Sequence, residues 1–142
     1  MTGEELAAFI DEQRVVVVAT IGPHGWPHLM PLWYVVRDGE LWGWTYGKSQ
    51  KTKNLERDPR ATLQLETGER YEELRGVMIE AEAVIHRDTE QVAALGTEIY
   101  RRYTGHADVD EMIRAQAPKR VALQFVPQRT TSWDHRKLGG LY

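Results

Sequence analysis

The dipeptide Asp38-Gly39, set between two extended apolar runs, restricts this chain more than any other feature. A two-residue loop of that type suits a type I′ turn, whose twist matches antiparallel flanks, so Pro27 to Arg37 and Glu40 to Tyr46 are expected to pair as a hairpin. Arg14 to Ile21 is rich in β-branched residues, and Gly22, Pro23, His24 and Gly25 supply turn chemistry ahead of Pro27. A meander of three strands follows. Ala61 to Thr67 alternates as a fourth. Leu74 to His86 makes a fifth, with Val77, Ile79, Ala81, Ala83 and Ile85 on one face, and Arg120 to Trp133 a sixth, with Val121, Leu123, Phe125 and Pro127 on one face.

Helices are expected at Thr2 to Glu12, where Thr2 and Glu5 form a capping box, and at Ser49 to Arg57, with Ser49 as cap and Asp58-Pro59 as stop. The longest starts after Asp88, its Val92, Leu95, Ile99 and Tyr103 recurring at helical spacing, and a short one falls within Gly105 to Gln116. These helices do not alternate with the strands, which argues against a parallel sheet. The expected fold is therefore mainly β (α+β): one domain over residues 1–142, a six-stranded antiparallel split β-barrel with peripheral helices, since closing the sheet removes its exposed edges.

With no cysteine, disulfides, iron–sulfur clusters and Cys-based zinc sites are excluded. The longest apolar run, Val15 to Ala19, is far short of the roughly 20 residues of a membrane span, and the first residues read as an acidic helix, so no membrane partner is expected and a cytoplasmic location is the default. A formal charge of −3 argues against nucleic-acid binding. Positive charge nevertheless clusters at Lys48, Lys51, Lys53, Arg57 and Arg60, a patch suited to a small anionic ligand. His24 and His28 are separated by Gly25 and Pro27, which prevent the helix that would align them, so no metal site is expected. No hydrolytic constellation is apparent.

Leu41 to Ala61 carries the chemistry. A strand ends in Thr45 and Tyr46, Gly47 turns the chain, and a short helix starts at Ser49 with Lys51 and Lys53 near its first turn. Free N–H groups, the Thr45 and Ser49 hydroxyls and a lysine ammonium are the donors that a phosphate needs. On spacing alone a solvated basic helix is an equal alternative. The segment resembles the phosphate-binding strand and helix of the pyridoxamine 5′-phosphate oxidase-like split-barrel flavoproteins, and Asn54-Leu55-Glu56-Arg57-Asp58-Pro59-Arg60-Ala61 resembles their helix-to-strand junction. The likeness runs from Val15 through Pro31-Leu32-Trp33-Tyr34 to Trp133-Asp134-His135-Arg136-Lys137-Leu138, an ending similar to that of the flavin/deazaflavin oxidoreductases, many of which bind coenzyme F-420.

The resemblance implies that Met30, Pro31, Leu32 and Trp33 line a tricyclic ring, that Thr45, Tyr46, Ser49, Lys51 and Asn54 hold its phosphate and ribityl arm, and that Lys48, Lys53 and Arg57 meet an anionic tail. Arg75 and Gly76 would reach the cofactor from the partner subunit, and Trp133 would approach the ring. The expected activity is an F-420-dependent oxidoreductase, passing hydride between the deazaflavin and a small organic acceptor (enone, imine or tetrapyrrole type), with Tyr46, His135 or solvent as proton source. FMN is the alternative cofactor, and a non-catalytic cofactor- or heme-binding protein the alternative class. A homodimer is expected, because the groove of a split barrel is open in one copy and the five tryptophans and six tyrosines need cover.

Overall fold

The computed structural model describes residues 1–106 and 108–139. Thr2 and Glu5 exchange hydrogen bonds, Thr2 N–H to Glu5 Oε1 at 2.9 Å and Glu5 N–H to Thr2 Oγ1 at 3.2 Å, and this capping box starts α1 (Gly3–Glu12). Phe9 from its apolar face is buried in the barrel, with Leu6 and Ile10 beside it.

The strands follow as β1 (Val16–Ile21), β2 (Pro27–Leu32), β3 (Val35–Arg37) and β4 (Glu40–Tyr46). Asp38 and Gly39 both adopt positive φ, 50° and 78°, as the tight turn requires. Next come α2 (Gln50–Arg57), β5 (Arg60–Thr67), β6 (Arg75–His86), α3 (Thr89–Thr104), α4 (Asp110–Gln116) and β7 (Arg120–Asp134). Ser49 caps α2 and Asp88 caps α3, each through its side chain. The short helix expected within Gly105 to Gln116 is α4; Ala107, in the same span, lies outside the described residues.

All pairings are antiparallel, and the order is β2-β1-β5-β6-β7-β4-β3. The sheet has seven strands instead of the six expected, because Pro27 to Arg37 is not one strand but two. The break falls at Trp33-Tyr34, where tertiary contacts replace the ladder. The Tyr34 N–H donates to the Tyr103 hydroxyl at 3.0 Å, and the Tyr34 carbonyl accepts from Arg102 Nη1 at 2.7 Å.

This break explains the curl. β2 and β3 are the two edges of the sheet, yet only Trp33 and Tyr34 join them, and three Cα–Cα steps reach at most about 11 Å. The edges must therefore meet, and the sheet rolls into a barrel-like wall. Its inner face buries Val16, Val18, Leu63, Leu65, Val77, Ile79, Leu123 and Phe125. The register of β7 against β6 shifts between Glu80 and Ala81; Pro127, opposite the buried Ala81, keeps the face of Val121, Leu123 and Phe125 as expected, although it is itself exposed. A second core covers the outside of β4: Trp44 packs with Val92, Leu95 and Ile99 of α3 and Ile113 of α4. Among the described residues no helix is long and apolar enough to cross a membrane.

Candidate functional site

Where β4 ends, the chain must turn into α2, and its polar groups settle most of each other's demands. Gly47 N–H donates to the Lys119 carbonyl at 2.9 Å, and Thr52 Oγ1 donates to the Tyr46 carbonyl at the same distance. Ser49 Oγ accepts from Thr52 N–H at 3.2 Å. Asn54, fully buried, donates through Nδ2 to Thr20 Oγ1 at 3.0 Å and accepts from Gln50 Nε2 at 2.8 Å. The Arg57 guanidinium donates to the Ile21 carbonyl. Ser49, Asn54 and Arg57 thus fasten α2 to its own start and to β1.

Lys51 is different. It is only 6% exposed, its Nζ lies 3.3 Å from Thr45 Oγ1, and among the described residues no carboxylate comes within 4.0 Å. Burial holds its pKa below the ordinary lysine value of 10.5. A buried cation is costly without a counter-charge, and an anion in the pocket would supply one.

Lys51 faces a pocket of about 530 Å³. Val15, Pro31, Leu32 and Trp33 form an apolar wall, Trp44, Tyr46 and Tyr100 an aromatic one, and Thr45, Lys51 and Arg120 the polar part. Trp33 stacks on Tyr103, with ring centroids 4.4 Å apart and planes 8° from parallel, and presents its edge to Tyr100. The Arg120 guanidinium lies 4.1 Å from the Tyr46 ring centroid and 4.5 Å from that of Trp44.

Of the residues expected at a site, Pro31, Leu32, Trp33, Thr45, Tyr46 and Lys51 come together here. Met30 is exposed on β2 and does not line the pocket; Lys53 is exposed on α2, and Lys48 lines a neighbouring cavity. Arg75, Gly76 and Trp133 lie elsewhere. Gly76 pairs with Trp133 near the far end of β7 from Arg120, and the Trp133 ring fills the space that a side chain at Gly76 would need. Arg75 faces the other way, its guanidinium 5.3 Å from the centroid of Phe9 and 3.7 Å from Glu12. His135 is likewise outside the pocket, its Nδ1 2.8 Å from the Tyr71 carbonyl.

Sequence reasoning missed Val15, Trp44, Tyr100 and Arg120. Trp44 and Tyr46 share a face by strand alternation, which was readable. That Arg120 stands opposite Tyr46 depends on the β4–β7 register, which joins distant segments.

No curated protein matches the sequence. Among solved structures, the conserved hypothetical protein Rv2991 from Mycobacterium tuberculosis is 44% identical with a TM-score of 0.92, the match covering 100% of this chain and 90% of that one. An F420 reductase shares the fold at 18% identity and a TM-score of 0.69, with 87% and 94% covered. So does HutZ, a heme storage protein from Vibrio cholerae, at 16% identity and 0.71, with 93% of each chain covered. The family described as pyridoxamine 5′-phosphate oxidase matches residues 2–134, and the chain, with its curled antiparallel sheet and its strand-to-helix cation, belongs to that family.

Proposed function

We propose that the pocket holds a phosphorylated flavin-type cofactor, coenzyme F-420 before FMN, and that the protein is an oxidoreductase acting on a small organic acceptor such as an enone, imine or tetrapyrrole. The observation that carries this reading is Lys51, buried beside Thr45 with no carboxylate among the described residues within 4.0 Å. The residues present fit such a group: a cation and a hydroxyl for a phosphate, and flat apolar surface from Pro31, Leu32 and Trp33 for a ring system. When bound, the cofactor supplies the hydride chemistry.

The protein's own contribution is to bind, orient and exclude water. Lys51 and Thr45 fix the anionic end, and the Trp33, Trp44 and Tyr100 rings shield the apolar part. Of the two side chains considered as proton source, Tyr46 lines the pocket and His135 does not, so the Tyr46 hydroxyl is assigned that role. Heme is disfavoured, since no histidine among the described residues lines the pocket.

A homodimer in the cytoplasm belongs to the same proposal. By register, Val17 stands beside Pro31 and Ala19 beside Leu29 on the outward face of the β1–β2 hairpin, and Leu29 is 59% exposed. This apolar face adjoins the pocket wall and would be covered by a second copy, whose Gly76 and Trp133, at one end of β6 and β7, would then approach the cofactor.

Side-by-side titration with F-420 and FMN tests the reading. Lys51→Ala is expected to weaken the bound cofactor by roughly 1.5–3 kcal/mol, the range for a hydrogen bond to a charged group. An unchanged dissociation constant would remove Lys51 from the site, and FMN retained where F-420 fails would transfer the assignment to FMN.

A further inference from the structure

Resting on that reading, and deepening it, we infer that Arg120 is a second anion receptor of the same pocket, so that the preferred ligand carries two separated anionic groups: a phosphate for Lys51 and a carboxylate or further phosphate for Arg120.

Three observations converge on this residue. The first is its orientation. Arg120 pairs directly with Tyr46 across β4 and β7, and Trp44 lies two residues back on the same face. The guanidinium stacks against both rings. Trp44 is itself clamped, because Gly96 of α3 presents bare backbone to it and a Cβ there would stand 2.4 Å from the ring. The planar fork of Arg120 is thus held in place before any ligand arrives.

The second is unmet demand. Arg120 Nε is buried without a hydrogen-bond partner, and no carboxylate among the described residues lies within 4.0 Å of the side chain. Two aromatic faces offset part of the charge but accept no in-plane N–H, so the donors remain available. Lys51 lines the same pocket and also has no carboxylate within 4.0 Å among the described residues. Two unneutralised cations beside one cavity mark a site for more than one negative charge.

The third is what lies next to the pocket. Arg120 and Tyr46 also line an adjoining cavity of about 690 Å³, together with Lys48, Lys119 and Arg87. Arg87 pairs with Glu56 at 3.1 Å, whereas Lys48 and Lys119 form no ion pair among the described residues. Arg120 is therefore on the partition between a pocket lined mostly by apolar and aromatic side chains and a cationic one. The cations set to receive the second group are Arg120, Lys119 and Lys48; Lys53 and Arg57, expected for an anionic tail, line neither cavity.

Two measurements test this. Wild type, Arg120→Gln and Arg120→Lys are titrated with F-420, which carries a phosphate and carboxylates, and with FMN, which carries one phosphate. Arg120→Gln is expected to weaken F-420 at least about tenfold and FMN less than about threefold, with Arg120→Lys between, since lysine keeps the charge but not the planar fork. Equal weakening of both ligands, or of neither, overturns the assignment. The second measurement needs no cofactor: in wild-type protein the Arg120 Nε–H resonance, identified by its loss in Arg120→Lys, is followed during titration with inorganic phosphate. A saturable shift supports the receptor and a flat response overturns it. If neither F-420 nor FMN binds but the resonance moves, the cofactor reading falls and the anion receptor stands; if F-420 binds tightly and the resonance stays still, the reverse holds.

Discussion

Lys51 carries its charge into a buried place where its ammonium donates to the Thr45 hydroxyl, and that determines how the pocket responds to pH. Burial lowers its pKa below 10.5, so the folded chain releases this proton before the unfolded chain does. Between the two values the unfolded state holds more protons, and the contribution of Lys51 to stability rises with pH. Anion binding runs the other way, because only the ammonium attracts a phosphate. Affinity for FMN or F-420 is therefore expected to decline as pH climbs toward 10.5, starting below the usual lysine range. In Lys51→Met that decline should vanish while the ligand-free protein gains about 1 kcal/mol or more in urea unfolding, having lost a buried charge. A wild-type affinity that stays level over this range would contradict a charged Lys51 at the ligand. At this scale the sequence was readable in part: Ser49-Gln50-Lys51 at a helix start marked the cation, but Ser49 and Asn54, equally suggestive, spend their hydrogen bonds on the protein itself. Composition and order do not reveal which of several adjacent donors is left over.

Among the elements, α2 depends on its cap and the β2–β3 joint depends on α3. Ser49→Ala removes the acceptor for Thr52 N–H and is expected to cost about 1 kcal/mol in chemical denaturation. A cost below a few tenths would mean that Thr52 and the turn hold the helix start unaided. The joint is more exposed to single substitutions. Arg102 donates to the carbonyls of Asp11 and Gln13 at the C-terminal end of α1 and to that of Tyr34, while the Tyr103 hydroxyl takes the Tyr34 N–H. Arg102→Leu takes this donor from the carbonyls of buried Tyr34, half-buried Gln13 and exposed Asp11, and is expected to cost roughly 1–3 kcal/mol. It should also weaken cofactor binding although Arg102 does not line the pocket, because Trp33 precedes the loosened residue and stacks on Tyr103. Unfolding and titration of one preparation would show both effects, and a loss of stability with affinity intact would separate the joint from the site. Capping boxes and the Asp38-Gly39 turn were legible because their causes are local. The division of Pro27 to Arg37 was not, since its cause is a pair of side chains on a helix much later in the chain.

For the molecule as a whole, hairpin adjacency foretold the β1–β2 and β3–β4 pairs, but the order of the complete sheet rests on pairings between segments far apart, above all β1 with β5 and β4 with β7. The barrel class was therefore legible and the strand count was not. The proposed dimer belongs to this scale. Leu29→Glu places a charge on the outward hairpin face and is expected to shift the protein to a monomer in light scattering, with little loss of monomer stability because the side chain is exposed. A dimer that persists in this variant would move the interface away from that face. The seam at Trp33-Tyr34 has one more effect. Trp33, one of the two residues that join the rims of the wall, also forms the side of the compartment and stacks on Tyr103, so whatever settles against Pro31 and Trp33 braces the joint as it is held. Occupancy and durability then rise and fall as one quantity: a cell short of the guest molecule would carry a looser, shorter-lived container, and replenishing the guest would lengthen its lifetime with no change in its synthesis.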